Sequence, residues 1–246
     1  MRIAVIPDVQ AKPGVDFRFL DAIGRYIADK RPEVIVQGGD FADMPSLSSY
    51  DKGKRKFEGR RYINDTAAAH RAMDTLVNAI EKHSRGYAPR KILFLGNHEE
   101  RINRATNETP ELHGLISTDD LRYAQYGWQV HPFLEVATIR DIAFSHYFTS
   151  GVMGRPVTTS AALLAKKHMS CIAFHQQGFM MSTANRADGK LLTGIIAGSC
   201  YEHKEDYLGP QGNVHFRGML FLNDVRRGGE FDVMPLTLAF LKRRYK

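Results

Sequence analysis

The chain of 246 residues has only two cysteines, Cys171 and Cys200, and no long apolar run. Two thiols in a chain of this length do not make the disulfide framework of a small secreted protein, so we expect a reducing compartment. No stretch approaches the roughly 20 apolar residues of a membrane span. A signal-peptide pattern is also lacking, because Asp8 and Gln10 interrupt the first apolar stretch. These absences predict a cytoplasmic protein.

Internal repeats, low-complexity segments and a strong domain boundary are also missing, so we expect a single domain over residues 1–246. The hydrophobic fraction of 43% and the charged fraction of 25% are typical of a globular protein with a sizeable core. The formal net charge is +7 and the isoelectric point is about 9.4. This excess of positive charge favours polyanionic partners such as nucleic acid. Alternatively, the charge serves only to keep the protein in solution.

The first hundred residues predict the order β-α-β-α-β. Short apolar runs at residues 3–6, 34–36 and 92–95 are typical of strands buried on both faces. Helical spacing of apolar residues predicts helices from Asp16 to the Arg31-Pro32 pair and over residues 63–84. From Trp128 onward the apolar runs are short and predict antiparallel strands, with one short helix at residues 159–168. The sequence therefore predicts an α/β fold.

Five of the predicted strands end in side chains that bind metal ions. Carboxylates, amide oxygens and imidazoles together suit divalent ions such as Mn²⁺, Fe²⁺, Zn²⁺ or Mg²⁺, and open α/β folds place ligands at the carboxyl ends of their strands. Each side chain alone has a plainer explanation, as a helix cap or a buried core histidine. Five coincidences at five strand ends favour a metal site. In chain order the residues are Asp8 with Gln10, Asp40, Asn97 with His98, His146, and His175 with Gln177.

The same residues form an ordered set of motifs: D-x-Q, GGD, GNHE, SH and H-x-Q, spread over residues 3–177. This set resembles the calcineurin-like metallophosphoesterases, whose usual pattern is D-x-H, GD, GNH[DE], a lone histidine and GH-x-H. The stretches FADMPSLSSYDKGK, YFTSGVMGRP and YEHKEDYLGPQ further resemble members encoded by tailed bacteriophages. The resemblance implies a two-sheet β-sandwich flanked by helices, with mixed sheets, and for a phage protein the host cytoplasm.

The resemblance also implies a role for each matched residue. Asp40 would bridge two divalent ions, for which we expect Mn²⁺, with Mg²⁺, Fe²⁺, Zn²⁺ and Ni²⁺ as alternatives. His98 would protonate the leaving oxygen or stabilise its charge, while a hydroxide bridging the metals attacks phosphorus. One ion would be completed by Asn97, His146 and His175, and the other by Asp8, Gln10 and Gln177.

The chain departs from the family pattern at three positions. Gln10 and Gln177 stand where the family has histidines, and Phe174 stands where it has glycine. An amide oxygen is a harder and weaker donor than imidazole, so we expect lower affinity for zinc and a preference for manganese or magnesium. Phe174 would crowd the backbone near His175.

Further candidates surround these motifs. Asp43 is placed to hold a histidine from behind, and Arg101 is placed to face a phosphate oxygen, with a solvated arginine as the alternative. His203 is a candidate substrate contact. The polar segment 41–61 contains six Lys or Arg residues, among them Lys54 and Arg55, interleaved with Tyr50 and Phe57. It is expected to bind nucleic acid, unless it is a flexible solvated loop or an oligomer contact.

The predicted function is therefore a metal-dependent phosphodiesterase or nuclease that acts on nucleic acid or nucleotides. Two alternatives remain open. The first is a phosphomonoesterase for phosphoproteins or small molecules, since the same metal centre serves both reactions. The second is a nucleic-acid-binding member of the fold with weak catalysis, which the two glutamines favour. The basic segment separates the readings, because only the nucleic-acid readings need it.

Overall fold

The computed structural model describes residues 1–205 and 208–246, and it contains two mixed β-sheets with helices on their outer faces. Among the described residues, the helices are too short or too polar to cross a membrane. The α-helices are α1 (Arg18–Lys30), α2 (Tyr62–His83), α3 (Glu100–Glu108), α4 (Ser160–Lys167), α5 (Gly209–Gly212) and α6 (Leu238–Arg244). The strands are β1 (Ile3–Ile6), β2 (Val34–Gln37), β3 (Arg90–Phe94), β4 (Gln129–His131), β5 (Ala137–Ile139), β6 (Ile142–Ser145), β7 (Ser170–Ala173), β8 (Phe179–Asn185), β9 (Leu191–Ala197), β10 (Gly218–Asn223) and β11 (Asp232–Thr237).

The first sheet has the order β11-β10-β1-β2-β3-β4, and the second has the order β5-β6-β7-β9-β8. Strands β1 to β4 are parallel, whereas β10 and β11 join them as an antiparallel pair. In the second sheet β6, β7 and β9 are parallel, and β5 and β8 flank them as antiparallel edges. The prediction of an α/β sandwich with mixed sheets is thus confirmed.

The layers follow from the alternation of side chains along the strands. In β1, Ala4 and Ile6 lie in the core between the first sheet and helices α1 and α2. Ile3 and Val5 point the other way and pack between the two sheets. A smaller apolar cluster packs the outer face of the second sheet against α4. Both faces of each central strand are therefore buried, which explains the unbroken apolar runs in the sequence.

The prediction of antiparallel strands after Trp128 was right for the β5–β6 and β10–β11 pairs and wrong for β4 and the centre of the second sheet. Strand β4 pairs with β3 in parallel, and the centre of the second sheet is parallel. Short apolar runs indicate a strand but not its direction, which here is set by the crossover through α4. Strand β8 and helix α6 were not predicted at all. The segment 41–61, expected to lack structure, contains three 3-10 turns at Pro45–Leu47, Ser49–Asp51 and Arg55–Phe57.

Candidate metal centre

Side chains from both sheets meet at the carboxyl ends of the parallel strands. Asp8, Asp40 and Asn97 follow β1, β2 and β3, while His146 and His175 follow β6 and β7. The Nε2 atom of His146 lies 3.0 Å from Asn97 Oδ1 and 3.4 Å from Asp40 Oδ2. The five strand ends singled out in the sequence therefore converge on one edge of the sandwich.

One half of this cluster, which we call the histidine side, consists of Asn97, His146 and His175. Asn97 Oδ1 contacts His146 Nε2 and, at 2.7 Å, His175 Nδ1. The Nδ1 atom of His146 lies 2.9 Å from the Gly38 carbonyl oxygen and donates to it, so Nε2 faces the cluster. Single donor atoms of Asp40, His146 and His175 all lie within 4.8 Å of one another, close enough to hold one ion.

The other half, which we call the glutamine side, consists of Asp8, Gln10 and Gln177. Asp8 Oδ1 accepts a hydrogen bond of 3.3 Å from the His175 backbone, and Asp8 Oδ2 accepts one of 3.5 Å from Gln177 Nε2. Gln10 Oε1 is buried and has no hydrogen-bond partner among the described residues. Gln177 Oε1 instead accepts from the Tyr201 hydroxyl at 2.8 Å. The two glutamines therefore differ, because the Gln10 oxygen is buried without a partner among the described residues and the Gln177 oxygen is hydrogen-bonded.

The two buried carboxylates of the cluster, Asp8 and Asp40, have pKa values shifted in opposite directions. Burial and the neighbouring Asp40 raise the pKa of Asp8 to about 8. Burial would also raise the pKa of Asp40, but His146 and His98 hold that pKa well below its usual range. Buried charge of this kind is costly unless a counterion compensates it. With the unpaired Gln10 oxygen, this set of oxygen and nitrogen donors fits divalent cations.

The backbone around Asp40 leaves no room for larger residues. A Cβ atom added at Gly96 would lie 2.1 Å from Asp40 Oδ1. Three cluster residues, Gln10, Asp40 and His175, have left-handed backbones with φ of 48°, 49° and 66°. Phe174, the unexpected residue before His175, is fully buried between the sheets, and Gly38 makes room for its ring.

Glu99 joins the two loops that carry the central ligands. Its Oε2 accepts from the backbone N–H groups of Asp40 at 3.0 Å and Gly96 at 2.9 Å. Its Oε1 accepts from the Ala42 N–H at 2.9 Å and the Tyr123 hydroxyl at 3.1 Å. The sequence had shown Glu99 only as part of the GNHE motif. Its four contacts assign it a positioning role behind the cluster, and its place directly after His98 was the available signal.

His98 stands between Asp43 and the cluster. Its Nδ1 lies 2.7 Å from Asp43 Oδ1, and its Nε2 lies 3.8 Å from Asp40 Oδ2. Burial would lower the pKa of His98, but Asp40 and the hydrogen bond with Asp43 raise it above the usual value. Arg101 donates to the Asp43 carbonyl oxygen at 2.6 Å and places NH2 3.2 Å from His98 Nε2. Asp43 thus holds a histidine as expected, whereas a phosphate contact of Arg101 stays a prediction.

His203 is linked to the glutamine side through Tyr201. The two rings stack with centroids 4.4 Å apart, and Tyr201 donates to Gln177. His203 Nε2 lies 2.7 Å from Glu205 Oε1, and that carboxylate also pairs with Lys12 at 2.5 Å. Tyr201 therefore lies between His203 and the cluster residue Gln177. Contact of His203 with substrate stays a prediction.

The basic segment is exposed, and its cations are partly neutralised. Lys54, Lys56 and Arg60 form ion pairs of 3.8, 2.9 and 2.8 Å with Asp51. Arg55 is exposed on the last 3-10 turn. Within the described part of the chain, no hydrogen bond or ion pair joins Lys54 or Arg55 to the metal-ligand cluster. The structure thus brings Asp8, Asp40, Asn97, His146, His175 and Gln177 together. Gln10 joins them through its backbone N–H, which donates to the Asp40 carbonyl oxygen, whereas Lys54 and Arg55 lie outside.

An aromatic wall on the histidine side was not found from the sequence. Tyr147 and Phe133 pack edge to face with centroids 5.5 Å apart, and the Tyr147 centroid is 5.1 Å from that of His175. Arg104, from α3, donates to the Asn97 carbonyl oxygen at 3.0 Å. Tyr147 follows β6 of the second sheet and Phe133 follows β4 of the first, so the contact between them is visible only in the structure.

Comparison with known proteins adds little to this geometry. No family model matches the chain, and no curated protein matches it. Among the solved structures that match is a crystal structure with 10% sequence identity and a TM-score of 0.47, which covers 96% of this chain and 99% of its own. A likeness of that size supports no conclusion about function. The functional case therefore depends on the residues themselves.

Proposed function

We propose that this protein is a metal-dependent phosphoesterase that hydrolyses phosphodiesters in nucleic acid or nucleotides. The observation that carries the proposal is the convergence of Asp8, Asp40, Asn97, His146 and His175 at one sheet edge. Two bound divalent ions would activate water and polarise the phosphoryl oxygens. Asp40 would contact both ions, a role supported by its contact with His146 and its electrostatic effect on Asp8.

The protein's own contribution to the reaction centres on His98. Asp43 fixes the imidazole through Nδ1, so Nε2 points towards Asp40 and the cluster. Burial would lower the pKa of His98, but Asp40 and the hydrogen bond with Asp43 raise it above its usual value. His98 would protonate the leaving oxygen of a phosphodiester or stabilise the charge that develops on it. Asp43 holds the ring at Nδ1, and Arg101 NH2 lies 3.2 Å from Nε2, so both edges of the ring are held.

The direct test is hydrolysis by protein that has been stripped of metal and reloaded. Manganese, magnesium, zinc and nickel are each tried with bis(p-nitrophenyl) phosphate, p-nitrophenyl phosphate, and single- and double-stranded DNA. We expect manganese to support cleavage of the diester and of DNA, with weaker hydrolysis of the monoester. Asp119→Ala, on an outer 3-10 turn away from the cluster, is the control variant. Hydrolysis of the monoester alone would overturn the proposal.

A phosphomonoesterase is the second candidate, and the ion pairs of the basic segment favour it. Asp51 neutralises part of the charge that a nucleic-acid surface would need. We compare DNA binding by the parent with that of a Lys54→Ala, Arg55→Ala, Lys56→Ala variant over a range of salt. If the segment binds nucleic acid, the slope of log binding constant against log salt concentration should fall by roughly 0.7–0.9 for each phosphate contact removed. Cleavage of the small diester should stay as before. An unchanged slope would favour the monoesterase.

A further inference from the structure

The aromatic wall on the histidine side belongs to neither the predicted ligands nor the general acid. Tyr147 is half-buried, and its ring centroid lies 5.1 Å from that of His175 and 6.0 Å from that of His146. A phenol ring therefore stands directly beside the two imidazoles. Any molecule with a phosphate at the cluster would have this ring within reach of its neighbouring group.

Phe133 fixes the position of that ring. The planes of Phe133 and Tyr147 meet at 81° with centroids 5.5 Å apart, a favourable edge-to-face geometry. Phe133 follows β4 of the first sheet and packs against its core, whereas Tyr147 follows β6 of the second. The wall thus spans the junction of the two sheets and is held from both, so its ring is pre-positioned rather than free to turn.

A cation lies on the same flank. Arg104 is exposed on α3, and its NH2 donates to the carbonyl oxygen of Asn97, whose side chain contacts both imidazoles. Guanidinium groups bind phosphate oxygens well because they present several donors in one plane. This bond keeps Arg104 close to the cluster while the side chain stays accessible to solvent.

The opposite flank has a different character. There the side chains of His98, Asp43 and Arg101 are engaged with one another. Tyr147 and Arg104 therefore place a half-buried aromatic ring and an exposed guanidinium beside the same part of the cluster. A nucleotide carries the matching pair of groups, since its base stacks on aromatic rings and its phosphate pairs with arginine.

We propose that Tyr147 and Arg104 form a nucleobase subsite, in which Tyr147 stacks on the base next to the scissile phosphate and Arg104 pairs with a phosphate oxygen. The subsite rests on the proposed function for the identity of the neighbouring cluster. It narrows the substrate class to nucleotides and nucleic acid, because a simple alkyl ester or a phosphoserine has no base to stack.

The test is binding, measured by calorimetry on manganese-loaded protein with two ligands. Thymidine 5′-monophosphate carries the base, and 2-deoxyribose 5-phosphate has the same sugar phosphate without it. We expect the parent to prefer the nucleotide. Tyr147→Leu should weaken nucleotide binding by about 5- to 150-fold, the range of one base stack, and leave the sugar phosphate unaffected. Tyr147→Phe should resemble the parent.

Two further variants complete the design. Arg104→Ala should weaken the binding of both ligands by about tenfold, because it removes a charged contact with the phosphate and leaves the contact with the base. Phe240→Leu, a partly exposed aromatic residue on α6, is the control and should change neither affinity. Equal loss of both ligands in Tyr147→Leu would show that the ring merely supports His175 and would overturn the subsite. A parent that binds both ligands equally would overturn it as well.

The outcome can be separated from that of the proposed function. If no metal supports diester hydrolysis but Tyr147→Leu selectively loses the nucleotide, the subsite stands and the hydrolase proposal falls. If the diester is cleaved but the parent binds the nucleotide and the sugar phosphate equally well, only the subsite proposal is overturned. Binding and turnover are measured on the same manganese-loaded preparation, so neither result depends on the other.

Discussion

The two sides of the candidate metal centre use the same strand-end positions but differ in how firmly their side chains are held. On the histidine side, Asn97 Oδ1 contacts two imidazoles at 2.7 and 3.0 Å. On the glutamine side, the contacts between Asp8 and its neighbours are 3.3 and 3.5 Å. One side is a closed network of short contacts, and the other is loose.

The difference between the two sides lies in the side chains of Gln10 and Gln177. Gln10 keeps a buried oxygen unpaired, whereas the Gln177 oxygen is taken by the Tyr201 hydroxyl and its amide nitrogen faces Asp8. The two glutamines are thus not equivalent, since their surroundings decide which amide atoms are hydrogen-bonded. We expect the histidine side to hold its ion more tightly than the glutamine side.

The largest effect is expected from Asp40→Ala, which removes the residue that we propose bridges the two ions. Metal content measured on the purified variant should fall to near zero, and diester hydrolysis should fall by roughly 10³-fold or more as several kcal/mol of charge stabilisation is lost. Asp51→Ala, in the basic segment, is the matched control for metal content. Metal content equal to that of the parent in Asp40→Ala would refute the bridging role.

A smaller, asymmetric effect should separate the two sides. His146→Ala removes a ligand of the tight side and should weaken manganese binding there by at least about 10–100-fold. Gln10→Ala should weaken chiefly the second ion and leave one tight ion in place. Calorimetric titration resolves the two binding events. If both variants lose the same ion to the same extent, the division of the cluster into two sides is wrong.

The smallest effect is expected from restoring imidazole on the loose side. The double variant Gln10→His, Gln177→His should tighten zinc by about tenfold more than manganese, because imidazole suits the softer ion. In the double variant, the hydroxyl of Tyr201, which donates to Gln177 in the parent, could bind the imidazole at position 177 and keep it from the metal. Adding Tyr201→Phe to the double variant tests this. Titration with each metal is the measurement, and an equal gain for manganese would contradict the account of the substitutions.

The sequence predicted those parts of the molecule that depend on one local pattern. Unbroken apolar runs gave the buried strands, and polar residues directly after them, such as Asp40 and Asn97, gave the cluster. Strand direction after Trp128 could not be predicted in this way, because it depends on long-range pairing. The four contacts of Glu99 and the amide orientation of Gln177 also depend on distant groups. Tyr147 acquires its setting from Phe133 on another sheet, a juxtaposition no single stretch reveals.

The left-handed backbones of Gln10, Asp40 and His175 have a consequence for thermal stability. Non-glycine residues in this conformation typically cost about 1–3 kcal/mol each, so the ligand loops carry conformational strain. Ions that bind only the folded chain offset such strain, by about 2.7 kcal/mol at a hundredfold excess over the dissociation constant. The metal-free chain should therefore unfold at a lower temperature than the metal-loaded chain.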